Sequence, residues 1–340
     1  MPELPDLTAY VEALDRFTVG RAIESIRLVT PFLVRTWDPA LQAAASLKVV
    51  SVERVAKRIV IGVEGDLFLV IHLMIAGRFH WRKRGAAASR RTDHLALDFD
   101  HGSLFLTEAS TKKRASLHVV RGRAGLAAHD PGGIEPLSVS LPDFKRRLTR
   151  ENHTVKRSLT DPRLFAGIGN AYSDEILHRA QLSPVQLSHH LDDDALARLF
   201  AATQATLLDF TDRLRREVGD GFPEKVTAFH DEMNVHGRYG KPCRVCGTRV
   251  CRIRYANNEV NYCPHCQTGG RILKDRALSQ LLKDDWPATL EVLASFGADA
   301  LVPGRGDALL GPNTVAEGIG LTHQFLNDTY VPVVRGVARG

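Results

Sequence analysis

Over the first 125 residues the apolar positions fall in short runs, several alternating with polar ones, separated by Gly and Asp. Segments 22–29, 48–55, 59–63, 67–75, 94–99, 103–107 and 116–120 are rich in β-branched residues, the period-two pattern of strands. A short helix over 4–17 precedes them, and the set predicts an antiparallel β-sandwich. Residues 126–140, with Asp130-Pro131-Gly132-Gly133 among them, have linker composition. The pattern then turns helical over 142–149, 155–159, 172–180 and a long amphipathic run over 192–217. The expected division is a β-sandwich over 1–125, a linker over 126–140, a helical unit over 141–235, a cysteine-bearing hairpin over 236–270 and an extension over 271–340.

Composition narrows the class. The 340 residues suit two domains with some remainder, and 44% hydrophobic residues exclude disorder throughout. The longest apolar stretch, 67–77, is 11 residues long and carries His72, too short to cross a bilayer. The start Met-Pro-Glu-Leu-Pro-Asp lacks the basic and apolar regions of a signal peptide, so a cytoplasmic protein is expected. A net charge of +6 points towards a polyanionic partner.

All five cysteines lie between 243 and 266. Cys243, Cys246, Cys263 and Cys266 form two C-x2-C knuckles separated by sixteen residues, the spacing of a tetrahedral Zn2+ site, whereas Cys251 falls between them as a spare thiol. Residues 236–276 hold nine Lys/Arg, Arg254 among them, against Glu259 and Asp275. That hairpin has the charge to neutralise phosphates, with release of their counterions. The extension from 277 has four Lys/Arg against seven Asp/Glu and no recognisable motif.

A closed four-thiolate zinc site does no chemistry of its own, which leaves two other places. In the turn Asp161 to Asn170, Gly167 and Gly169 permit close backbone approach, and the next helix opens at Asn170. The N–H groups of a helix start bind phosphate, with Lys156 and Arg157 one helix earlier. At the N-terminus, Pro2 becomes a secondary amine once Met1 is removed, with Glu3 and Asp6 close behind. Such an amine titrates near 8, so part of it is the free, nucleophilic base.

Three segments together resemble the formamidopyrimidine-DNA glycosylase/endonuclease VIII family: Pro2-Glu3-Leu4-Pro5, Gly167-Ile168-Gly169-Asn170-Ala171-Tyr172, and Pro242-Cys243-Arg244-Val245-Cys246-Gly247 with the second knuckle. The resemblance covers about residues 1–270 and implies an α+β fold of β-sandwich, helix–two-turn–helix and zinc finger. It implies base-excision repair of damaged, oxidised DNA by a monomer. Pro2 would attack C1′ and form a Schiff base, Glu3 would move the proton, and Lys57 would lie beside the lesion phosphate. Lys156, Asn170, Arg157 and Arg254 would hold the DNA backbone.

Four positions depart from the family pattern. Asp6 stands where Glu is usual, and the loop Thr107 to Arg114 lacks both an aromatic wedge and the family's Arg. Ile75 occupies the position of a wedge Met, with Met74 before it, and Asn258 replaces the arginine at the finger's tip. With fewer groups to fill an emptied base stack, single-stranded or opened DNA is the favoured substrate. The alternative is a non-catalytic member that binds damaged DNA. Residues 219–229 are the candidate lesion-binding loop.

Overall fold

The computed structural model describes residues 1–273 except 225, 228, 256 and 257. The expected acidic extension therefore lies outside the described residues from 274 onward.

Helix α1 (Leu4–Thr18) opens the chain and turns Leu7, Tyr10 and Leu14 into the first core. Two four-stranded antiparallel sheets follow. One has the order β2-β3-β4-β8, from Val49–Val55, Arg58–Val63, Leu67–His72 and Ser116–Arg121. The other has the order β1-β6-β7-β5, from Ser25–Leu28, Asp93–Phe99, Gly102–Glu108 and Gly77–Arg82. Their facing sides bury Ile59, Ile61, Leu69 and Ile71 against Phe79, Leu95, Leu97 and Leu104, which makes the expected sandwich. Burying a Leu or Ile side chain contributes about 1.5–3 kcal/mol, so these alternating positions dominate the stability of the layer pair.

Two details differ from the expectation. The strand anticipated over 67–75 stops at His72, because Met74 takes a left-handed backbone (φ 54°) and Gly77 N closes the turn onto Leu73 O at 2.9 Å. The chain then returns as β5, where Gly77-Arg78-Phe79-His80-Trp81-Arg82 was not read as a strand. Basic residues at every second position hide its alternation: Arg78, His80 and Arg82 face away from the core while Phe79 is buried. A short helix, α2 (Gly122–Ala127), runs into the stretch read as linker.

The second core belongs to the helices α3 (Leu141–Leu148), α4 (Val155–Thr160), α5 (Asn170–Arg179) and α6 (Asp193–Val218). Ser140, Thr154 and Asp192 cap α3, α4 and α6, each side chain accepting a backbone N–H of the first turn. Leu4 of α1 is buried in this second core, so the first residues of the chain join the two units. A hairpin of β9 (Cys251–Arg254) and β10 (Glu259–Tyr262), followed by α7 (Pro264–Thr268), completes the described chain.

Candidate active site and nucleic-acid interface

Three elements meet at the start of α5. Asp6, in the first turn of α1, accepts the Glu3 backbone N–H at 2.8 Å and so fixes the residue before the helix. The Glu3 carboxylate is directed at α5: Oε2 accepts Gly169 N at 2.6 Å and Tyr172 N at 3.2 Å, and Oε1 accepts Ala171 N at 2.9 Å. Leu4 N donates to Gly167 O at 3.0 Å. The glycine turn thus grips a carboxylate of its own chain with the helix N–H groups that were expected to meet a phosphate. A helix N-terminus favours any anion, and Glu3 is the nearest one.

Both glycines are required by this approach. Gly167 is left-handed (φ +82°), and a Cβ there would lie 2.8 Å from Leu4 Cβ. A Cβ on Gly169 would lie 2.5 Å from the Glu3 carboxyl carbon and 2.9 Å from Lys57 Nζ. Lys57 reaches this point from the β2–β3 hairpin, whose first turn residue, Ala56, is left-handed (φ 50°). Burial pushes the Lys57 amine below its ordinary value, with Glu3 pulling the other way. The amine at the chain start is also lowered from 8.0, chiefly by burial and against the pull of Glu3.

This point opens into a cleft of ≈ 570 Å³ between the two units, lined by Met1, Lys57, Lys156, Arg157, Gly169, Asn170, Tyr255 and Asn258, among others. Arg157 is exposed there. Lys156 is committed internally: its Nζ donates to Asp174 Oδ1 at 2.5 Å, Ser173 Oγ at 2.9 Å and Asn170 O at 3.0 Å. Asn170 Nδ2 donates to Glu259 O at 2.9 Å, which ties the hairpin to the start of α5. Arg254 stands at the end of β9, outside the lining of this cleft.

Sequence reasoning missed the acids of α5. Asp174 Oδ2 contacts His236 Nδ1 at 2.8 Å and accepts Asn261 N at 3.1 Å. Glu175 accepts the backbone N–H groups of Asn234, Val235 and His236 at 2.8–2.9 Å. Both acids are buried, and together they hold the segment leading into the cysteine hairpin. The available signal was two adjacent acids inside a predicted helix, where one must face the core. His230 was also missed; its Nε2 lies 3.2 Å from Asp6 Oδ1. Burial opposes charge on that imidazole, but Asp6 outweighs it and the net shift is upward. Tyr172 lies beside this pair with its hydroxyl buried and unpartnered among the described residues.

The sulfurs of Cys243, Cys246, Cys263 and Cys266 lie within 4.8 Å of one another, and Cys251 is not in the cluster. Four bonds of about 2.3 Å to a tetrahedral Zn2+ would set such sulfurs about 3.8 Å apart, so the donor set fits that ion. Val235 and Val250 pack against the cysteines, and His178 of α5 places Nε2 3.3 Å from Cys243 Sγ.

The departures from the family pattern are also visible. Glu108 anchors the base of the 109–114 loop by accepting Arg114 N and Ala115 N, and Lys112 is exposed at its rim. Ile75 is exposed at the β4–β5 turn, and Asn258 lines the cleft. Among the described residues no helix is long and apolar enough to cross a membrane.

Residues 1–114 match the family model described as the formamidopyrimidine-DNA glycosylase N-terminal domain, and residues 133–212 match the model of its H2TH domain. The chain is 32% identical over 279 residues to the formamidopyrimidine-DNA glycosylase of Heliobacterium modesticaldum, covering 78% of this chain and 100% of that one. It is 41% identical over 151 residues to an uncharacterized formamidopyrimidine-DNA glycosylase-like protein of Mycobacterium tuberculosis, covering 44% of this chain and 94% of that one. The fold is shared with the Lactococcus lactis Fpg solved in complex with DNA containing an abasic site. That match has a TM-score of 0.69 at 22% identity, over 78% of this chain and 99% of that one.

Proposed function

Because the chain belongs to the formamidopyrimidine-DNA glycosylase family, and is therefore a DNA glycosylase of base-excision repair, we propose that its chemistry runs through the amine of Pro2. Met1 removal frees that amine at the mouth of the cleft. The amine attacks C1′ of the damaged nucleotide, and the C1′–N bond breaks as the base leaves with a proton. Opening of the sugar gives an iminium between Pro2 and C1′. Loss of a C2′ proton then expels the 3′ phosphate and cuts the strand, and water releases Pro2. An α-amino group titrates near 8, so part of the Pro2 amine is the free base needed for attack.

The observation that carries this reading is the convergence of the chain start, the Glu3 carboxylate and the Lys57 amine at the start of α5. Glu3, held by three backbone donors, has a fixed position from which to relay protons. Lys57, Arg157 and Asn170 supply the charge and amide that hold the phosphates of the reacting strand. Lys156 acts one step back, neutralised by Asp174 and holding the Asn170 carbonyl. Arg254 serves the backbone from the hairpin, away from the reacting nucleotide. The four cysteines hold one structural Zn2+, which when bound fixes the hairpin against α5. Oxidised bases are the substrates, and the 109–114 loop, which carries no aromatic wedge, suits opened rather than fully paired DNA.

Glu3→Gln is the direct test. It retains shape but turns one carboxylate oxygen into an amide NH2 group facing N–H donors. Base release from an oxidised oligonucleotide should fall by about 100-fold or more, the range of a lost general acid or base, while equilibrium binding of the same DNA persists. Base release at the wild-type rate would remove Glu3 from the reaction.

A further inference from the structure

The outer face of the β2-β3-β4-β8 sheet carries charge that the chemistry above leaves unused. The β3–β4 register pairs Ile59 with Ile71, which sets Arg58 beside His72 at the end of the sheet. The β4–β8 register pairs Val70 with His118, so His118 shares the face of His72 one step further on. The His129 ring lies 4.6 Å from that of His118, and Arg58 Nη1 donates to the His129 carbonyl at 3.0 Å. Beyond β8, Arg35 N donates to Leu117 O at 2.8 Å and Thr36 Oγ1 accepts Val119 N at 2.7 Å. That segment therefore extends the sheet edge and brings Arg35 alongside His118.

Among the described residues, the side chains of Arg35, His72, His118 and His129 have no hydrogen bond or ion pair. Burial, reinforced by the neighbouring cations, holds the three imidazoles below their ordinary value, His72 at about 4. Asp130 is the acid that acts on Arg58. The imidazoles are therefore neutral, and the charge of the strip rests on Arg58 and Arg35, two cations that an anionic partner would satisfy. In the same segment as Arg35 two aromatic rings stand in water: Phe32 is 82% exposed and Trp37 89% exposed. At its near end Arg58 adjoins Lys57 of the cleft.

We propose that this strip binds unpaired single-stranded DNA flanking the reacting nucleotide, with phosphates on Arg58 and Arg35 and bases stacked on Trp37 and Phe32. A duplex offers phosphates to the same cations but hides its base faces, so the rings select the unpaired strand. The inference rests on the cleft being the DNA-reactive site and adds a surface beyond it that grips the unpaired flank.

The test uses a lesion-free oligothymidylate and a matched duplex of equal length, titrated against the full chain with bound Zn2+. In the double variant Phe32→Leu/Trp37→Leu, oligothymidylate binding should weaken on the order of tenfold or more, while duplex binding stays within about twofold. Arg35→Ala should lower the salt slope of single-strand binding by about 0.7. In Trp37→Phe, which retains a stacking ring, oligothymidylate binding should persist while the fluorescence quench of the wild type is lost.

Equal losses on both DNAs, or no loss on oligothymidylate, would overturn the proposal. The second result would leave the rings to a protein partner. Since the probe carries no lesion, this outcome is independent of the covalent chemistry. Wild-type protein that binds oligothymidylate through the rings but fails to react would sink the Pro2 reading alone.

Discussion

At the residue scale, the site is organised by carboxylates that serve the protein's own backbone. Glu3 satisfies three N–H groups of α5, Asp6 one of α1, and Glu175 three of the segment entering the hairpin. Asp6 does double duty through His230, which directly follows the 219–229 loop expected to meet the lesion. A histidine whose folded pKa is raised adds stability below its unfolded value, near 6.5, and loses that contribution as pH rises through the higher folded value. The His230 contact with α1 should therefore be tightest under mildly acidic conditions and loosen as pH rises. Following the His230 ring by NMR titration checks this: Asp6→Asn should lower its pKa, and an unchanged value would mean that Asp6 is not its partner.

At the element scale, α5 is the hub. Its N-terminus takes Glu3, its buried acids take Lys156 and His236, and its last turn brings His178 to the cysteine cluster. Gly169→Ala tests the first of these. The residue has an extended backbone (φ −133°) that alanine adopts freely, so the whole effect comes from a Cβ placed 2.5 Å from the Glu3 carboxyl carbon. Base release should drop by about 100-fold from a misplacement of this size, with the thermal midpoint little changed. Wild-type turnover would show that Glu3 tolerates displacement.

Much of this architecture was legible because period and punctuation agree. The opening helix, seven of the eight sandwich strands and the four-cysteine cluster follow from apolar spacing and C-x2-C alone. Strand β5 was hidden by basic residues on its outer side. The internal use of Lys156 and of the α5 N-terminus could not be read either, because local sequence does not reveal that Glu3, over 160 residues away, is the anion supplied.

At the scale of the whole molecule, two cores are joined by the first residues of the chain and by a cleft with cations on both walls. The hairpin rests on α5 through Asn170 and Asp174 and has two small apolar clusters of its own, one around the cysteines and one of Ile253, Val260, Tyr262 and Leu273. A unit of that size would depend on the proposed Zn2+. Chelation, or Cys263→Ser, should loosen residues 236–273 in hydrogen exchange and abolish DNA binding, while the sandwich retains its protection. Full DNA affinity in metal-free protein would show that the hairpin needs no ion.

The central claim is that the covalent chemistry belongs to the amine of Pro2. Borohydride reduction of the protein on single-stranded DNA with an abasic site, followed by peptide mass mapping, tests it most directly. The predicted result is a permanent crosslink on a peptide that starts at Pro2, lost when a retained Met1 blocks that amine. A crosslink mapped to Lys57, or none with protein shown to begin at Pro2, would contradict it.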